Sequence, residues 1–237
     1  MPQKKRRESR VNQRKEFIIF GWAGLGIILL TLALGGDGGR VQAQYVYHQF
    51  HSITPGISQE DKQVGEQQLW LEIHQEAGSS IATFKFYNED GPACSITDIY
   101  IQDGHLCSLL YIVNGPGVSF SIGATPSNLP DAQYAIPPFV ATKRFSVDSD
   151  PPIQSQGINE GEWLMAYYSV EDGATVYDID HEIDQGILRV GFHVQAFSDG
   201  KSASFVNNTY GIPEPASILL LGLGGLALLK KYKKIQK

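Results

Sequence analysis

Cysteine and methionine are scarce: the 237-residue chain has two of each. Two cysteines exclude a framework of several disulfides but allow one, which export permits and an even count invites. Positive charge is also scarce through the middle of the chain. Residues 45–212 contain Lys62, Lys85, Lys143, Arg144, Arg189 and Lys201 as their only lysines and arginines, against 21 acidic residues. With histidine neutral this segment has a net charge of −15, although the whole chain has −6. A domain so acidic repels nucleic acid and anionic lipid. It could attract divalent cations or a cationic polymer, but keeping an exported domain in solution is the simpler role. Catalytic signatures are missing too. There is no Gly-x-Ser-x-Gly, no phosphate loop, no His-Glu-x-x-His and no dinucleotide fingerprint. His181-Glu182-Ile183-Asp184 lacks the second histidine of the zinc motif. No repeat occurs at solenoid periods. The expectation is a protein that is not an enzyme and holds no cofactor.

Positive charge is concentrated at the two ends. Residues 1–16 contain seven lysines and arginines, and residues 230–237 contain five. After the first cluster comes an uncharged run, Phe17 to Leu34, then glycines, then Val41-Gln42-Ala43. This is the order of a secretory signal, with a small-residue cleavage site ending at Ala43. The apolar run has 18 residues, long enough to serve as an uncleaved anchor instead. Near the other end, Pro213-Glu214-Pro215 precedes an uncharged segment, Ala216 to Leu229, and then Lys230, Lys231, Lys233 and Lys234. Fourteen helical residues rise about 21 Å, against roughly 30 Å of hydrocarbon, so this anchor spans poorly. Its lysines belong on the cytoplasmic side. Proline fixes its own φ and lacks an amide hydrogen, so Pro-Glu-Pro is extended and cannot join the following helix.

This tail resembles the PEP-CTERM sorting signal, on Pro213, Glu214 and Pro215, the apolar segment, and the basic cluster. The resemblance implies processing by a membrane-embedded exosortase, then release or transfer to the cell surface. It also implies a Gram-negative host, often one that makes exopolysaccharide. The chain then divides into a signal segment, 1–43, an acidic domain, 44–212, and a sorting signal with a transmembrane helix and basic tail, 213–237.

The middle segment reads as one mainly β domain. Residues 45–65 are polar and irregular, an entry loop or a short edge strand. Leu69, Leu71 and Ile73 then share one face, as do Ala82, Phe84 and Phe86. Ile96 to Ile101 and Leu106 to Val113 flank Asp103-Gly104, which predicts a hairpin. Leu188, Val190, Phe192, Val194 and Ala196 alternate with Arg189, His193 and Gln195. Val176, Ile179 and Ile183 are spaced as on a helix, with Gly186 placed to stop it. These patterns predict an antiparallel β-sandwich with one short helix near 176–184. Three stretches, 96–104, 148–162 and 188–200, resemble a group of exported bacterial domains that often carry the same tail. That resemblance implies the sandwich and export, and no mechanism.

Arg189, His193 and Gln195 form a candidate polar strip for a sugar or carboxylate, unless another layer or loop covers that face. Trp70 and Trp163 could stack on sugars, but both neighbour core positions, and packing is the default expectation. Two acid clusters, Asp148 with Asp150 and Asp178 to Asp184, could offer oxygens to Ca²⁺, though neither has the spacing of a calcium loop. With Asp103-Gly104 as the turn centre, Cys107 faces Tyr100, six residues from a position opposite Cys94. That offset keeps the cysteines unbonded unless the chain folds back sharply at Gly91-Pro92. Asn207-Asn208-Thr209 matches a glycosylation sequon but lies close to the tail. The leading expectation is an exported structural or interaction protein linked to exopolysaccharide or biofilm. A carbohydrate-binding module comes second and a hydrolase third. Partners expected are an exosortase, the inner membrane before processing, and an exopolysaccharide, with nucleic acid excluded.

If both ends are removed, the extracellular form has an intact mass well below 26.1 kDa. Mass spectrometry of the secreted protein checks this, and an unchanged mass contradicts it.

Overall fold

The computed structural model describes residues 43–207, apart from 103, 105 and 106. All but the last residue of the candidate signal segment, and the sorting tail, lie outside the described residues. Among the described residues, no helix is long and apolar enough to cross a membrane.

Two antiparallel sheets face each other. Sheet A contains β1 (Gln44–Gln49), β3 (Leu69–Gln75), β4 (Ile81–Asn88), β9 (Trp163–Val170) and β6 (Cys107–Asn114), paired in that order. Sheet B runs β2 (His51–Ser52), β11 (Ala203–Val206), β10 (Arg189–Gln195), β5 (Ser95–Gln102), β8 (Val147–Ser149) and β7 (Phe120–Ile122). The helices are α1 (Gln59–Gln68), α2 (Ile153–Gln156) and α3 (Val176–Asp184).

Period-two alternation places the core. Leu69, Leu71 and Ile73 of β3, and Ala82, Phe84 and Phe86 of β4, point inward and are fully buried. Val190, Phe192 and Val194 face them from β10, with Leu188 buried just before that strand. Phe192 is central: its ring stacks on Phe50 at 3.9 Å and meets Phe86 edge-on at 5.9 Å. Aromatic pairs of this kind add stabilisation beyond their buried area.

Helix α3 forms where the three-four spacing puts it. Val176, Ile179 and Ile183 are buried. At its start, the Thr175 amide and hydroxyl donate to the Asp178 carboxylate at 2.7 and 2.8 Å. Gly186, with φ of +65°, follows its end.

Two expectations need correction. The Asp103-Gly104 hairpin does not form: β5 pairs with β10 and β8, while β6 pairs with β9 in the other sheet. An Asp-Gly step specifies a turn, not a partner. Strand β5 is covered on both faces, whereas β6 has one wet face, so each belongs in a different sheet. The register used to separate Cys94 from Cys107 therefore does not exist. Cys94 is nevertheless a free, buried thiol. Burial pushes it up to about 12, and the Asn88 hydrogen bond offsets this only in part.

The second correction concerns residues 45–65. They include edge strand β1 as well as most of α1, a helix with little apolar periodicity. Ser58 caps it by accepting from the Asp61 amide at 3.0 Å. Gly65 lies against the Phe205 ring, where a Cβ would collide. A missing side chain, and not an apolar stripe, lets this helix dock.

Phe192→Ala should lower the unfolding free energy by about 3–5 kcal/mol, the usual cost of truncating a buried aromatic. Urea titration followed by tryptophan fluorescence measures it, and a loss under about 1 kcal/mol contradicts this account of the core.

Candidate functional site

The polar strip of β10 lies on the outer face of sheet B, as its period requires, but the three residues have different surroundings. Arg189 is fully buried. Its guanidinium donates to Pro137 O at 2.7 Å, Pro138 O at 2.8 Å and Gln102 Oε1 at 2.6 Å. It also lies 5.4 Å from the centre of the Phe139 ring. The segment 123–142 covers this part of the sheet, with Leu129, Ala132, Ala135 and Phe139 packed on Tyr100 and Val206. At the far end, Gln195 accepts from Gln154 Nε2 at 3.4 Å. It also borders a shallow groove of about 420 Å³ with Lys201 and Ser202.

Between them lies a short row of ionisable groups. Strand register sets His193 beside Asp98, and Asp98 beside Asp148. His193 Nδ1 is 2.9 Å from Asp98 Oδ2, which also accepts from Thr97 Oγ1 at 2.9 Å. Burial, and then the Asp98 charge, push the Asp148 carboxyl up to about 6. Two carboxylates this close favour holding one proton between them. Asp148 therefore keeps its proton to a higher pH than an ordinary carboxyl. Asp150, by contrast, accepts from Ser119 and Ser121, and these bonds hold its carboxyl below the usual range.

The α3 acids are divided among separate tasks. Asp178 caps the helix, and Asp180 lies 3.1 Å from His48. Burial and the neighbouring Asp180 raise Asp184. Among the described residues, no group of three or more His, Cys, Asp or Glu side chains is placed to hold a metal ion. Asn207 is nearly buried, and its Oδ1 accepts from the Val190 amide at 2.8 Å, which is not the setting of an open sequon.

The outer face of sheet A is different. Register aligns Trp70 with Tyr87, and Tyr87 with Trp163. Both tryptophans point outward and are half-buried, so the expectation that they pack in the core is corrected. They neighbour core positions in sequence, but period two turns them to the other face. Further along lie Tyr45 with His74, stacked at 5.1 Å, and Tyr111 with Tyr167, stacked at 4.4 Å. At the Tyr87–Trp163 corner a groove of about 410 Å³ opens, bordered by Lys85, Glu89, Asp90 and Glu162. Tyr87, Glu89 and Asp90 do not stand out in the sequence. Their alternation with Phe84 and Phe86 is visible, but the cross-strand alignment is not.

Comparison with known proteins adds one match. A family model described as the PEP-CTERM protein-sorting motif matches residues 211–234. The matched segment contains Pro213, Glu214, Pro215, Lys230, Lys231, Lys233 and Lys234. The chain therefore carries this sorting motif, the mark of an exosortase substrate that is exported and sorted by its C-terminal signal. No curated protein and no solved structure gives a match to the chain.

The Asp148 shift predicts a pH dependence. Its folded value, about 6, lies above the ordinary 3.8. The proton therefore stabilises the folded state fully below about 3.8, and this contribution is lost as pH rises through about 6. Asp148→Asn should flatten that part of the stability profile between pH 4 and pH 7. Urea midpoints for parent and variant across this range test it, and parallel profiles would count against the shared proton.

Proposed function

We propose that this protein is exported as a precursor, held in the inner membrane by its tail, and processed near Pro213-Glu214-Pro215 by an exosortase-type protease. The processed form acts at the cell surface or in an extracellular matrix, in a structural or interaction role linked to exopolysaccharide or biofilm. It performs no catalysis and requires no cofactor in this role, and its acidic domain avoids nucleic acid. The observation that carries the reading is the sorting motif at 211–234, which follows soon after β11 ends at Val206. In this reading the protease recognises the tripeptide, and the apolar segment with its lysines keeps the precursor in the membrane.

A second reading, a carbohydrate-binding module, is favoured by the Trp70–Tyr87–Trp163 row. A hydrolase has weaker support, since the Asp98–Asp148 pair lies beside the covered part of sheet B.

Replacing Pro213, Glu214 and Pro215 by alanine leaves the hydrophobic length unchanged. The variant should still insert, yet remain membrane-bound at full length. Fractionation with immunoblotting reads the outcome, and release as efficient as the parent's would make the tail a simple anchor.

A further inference from the structure

We propose that the groove at the Tyr87–Trp163 corner of sheet A, extended by Trp70, binds a polysaccharide with free amino groups, a glucosamine-type chain. The inference rests on the carbohydrate-binding reading and gives it a site and a ligand class.

The rings on this face fall into two kinds. Tyr45 with His74, and Tyr111 with Tyr167, are stacked on each other, so those partners use their ring faces internally. Among the described residues, neither Trp70, Tyr87 nor Trp163 stacks on another aromatic ring. Three ring systems in register on adjacent strands form a row about 10 Å long, at the usual strand spacing. That is enough for about two sugar rings, whose C–H faces are apolar. Unstacked rings held on rigid strands suit such a ligand, because little side-chain freedom is lost on binding.

Charge selects among sugars. The groove sets Glu89, Asp90 and Glu162 against a single cation, Lys85. Lys85 Nζ lies 5.1 Å from the centre of the Tyr87 ring, so this corner accommodates an ammonium over an aromatic face, and one face of Tyr87 is already taken by it. The whole domain is acidic, so it draws cations from a distance and repels uronate or sulfated chains.

The acidic rim is also held in place. Gln68 Nε2, from the end of α1, donates to Glu89 O at 3.2 Å and Pro92 O at 3.1 Å. Glu162 Oε2 accepts from the Asn159 amide at 2.9 Å and its side-chain nitrogen at 3.0 Å. Gly161, with φ of +76°, lets Asp90 approach to where a Cβ would lie 2.8 Å from its Oδ1. Preorganised acceptors beside rings that stack on no other aromatic suit a polar, cationic and partly apolar ligand.

The test is calorimetric titration of the full chain in a sugar-free polyoxyethylene detergent. Probes are a glucosamine hexamer, its fully N-acetylated counterpart, and an oligogalacturonate of the same length. The expected result is saturable binding of the glucosamine hexamer, weakening with added salt, and at least tenfold weaker binding of the other two. Trp163→Ala should weaken binding at least tenfold. So should Glu89→Gln with Asp90→Asn, a change confined to exposed residues that leaves the core intact. Absence of saturable binding to the glucosamine hexamer overturns the proposal. Equal affinity for the N-acetylated hexamer overturns its charge component, and binding untouched by both variants places any glycan site elsewhere. None of these results bears on processing at Pro213-Glu214-Pro215, so failure here is distinguishable from failure of the sorting account.

Discussion

Arg189 is the interaction on which the arrangement of surfaces depends. A fully buried guanidinium is tolerated only where acceptors surround it. Pro137 O, Pro138 O and Gln102 Oε1 provide them, and two of the three belong to the segment that crosses the outer face of sheet B. The residue thus ties residues 123–142 to the sheet and closes a second small core over Tyr100. Removing the guanidinium would take a donor from all three acceptors, of which Gln102 Oε1 keeps the Val140 amide at 3.1 Å, and removing the segment would strip Arg189 of two of these three partners. With this face of sheet B closed, the outer face of sheet A presents its aromatic rows to solvent.

The two sheets therefore divide the work. Sheet B contributes Val190, Phe192 and Val194 inward, and outward it is covered by residues 123–142 around Tyr100 and Arg189, so the residues of that part are structural. Sheet A shares the same core but keeps Trp70, Tyr87 and Trp163 on its outer side. The domain is acidic and β-rich with one open aromatic face, and the proposed contact with polymer would use that surface and not a deep cavity. The sorting motif beyond β11 gives that domain its destination.

Much of the fold is legible in the sequence, for a physical reason. Strands β3 and β4 and helix α3 have one buried face each, and the inward apolar residues of β10 alternate with polar ones, so hydrophobic period reports all four directly. Strand β5 is buried on both faces, and its neighbour in sequence is not its neighbour in space. Local turn chemistry at Asp103-Gly104 therefore misleads. Helix α1 leaves little trace, because Gly65 against Phe205 docks it instead of an apolar stripe. The candidate sites follow the same rule. Arg189, His193 and Gln195 share a face as alternation requires, but only the tertiary path of 123–142 decides that Arg189 is sealed. The row of Trp70, Tyr87 and Trp163 depends on register among three strands, and β9 lies far from β3 and β4 in sequence.

The central structural claim is that residues 123–142 seal the Tyr100–Arg189 part of sheet B's outer face, while the outer face of sheet A is open. Hydroxyl-radical footprinting of the exported protein, read by peptide mass spectrometry, tests it most directly. Trp70, Trp163 and Tyr111 should be oxidised rapidly, while Tyr100 and Phe139 should be protected until the protein unfolds. Equal oxidation of Tyr100 and Phe139 in the folded protein would contradict the account, because the cover held by Arg189 would then not be in place.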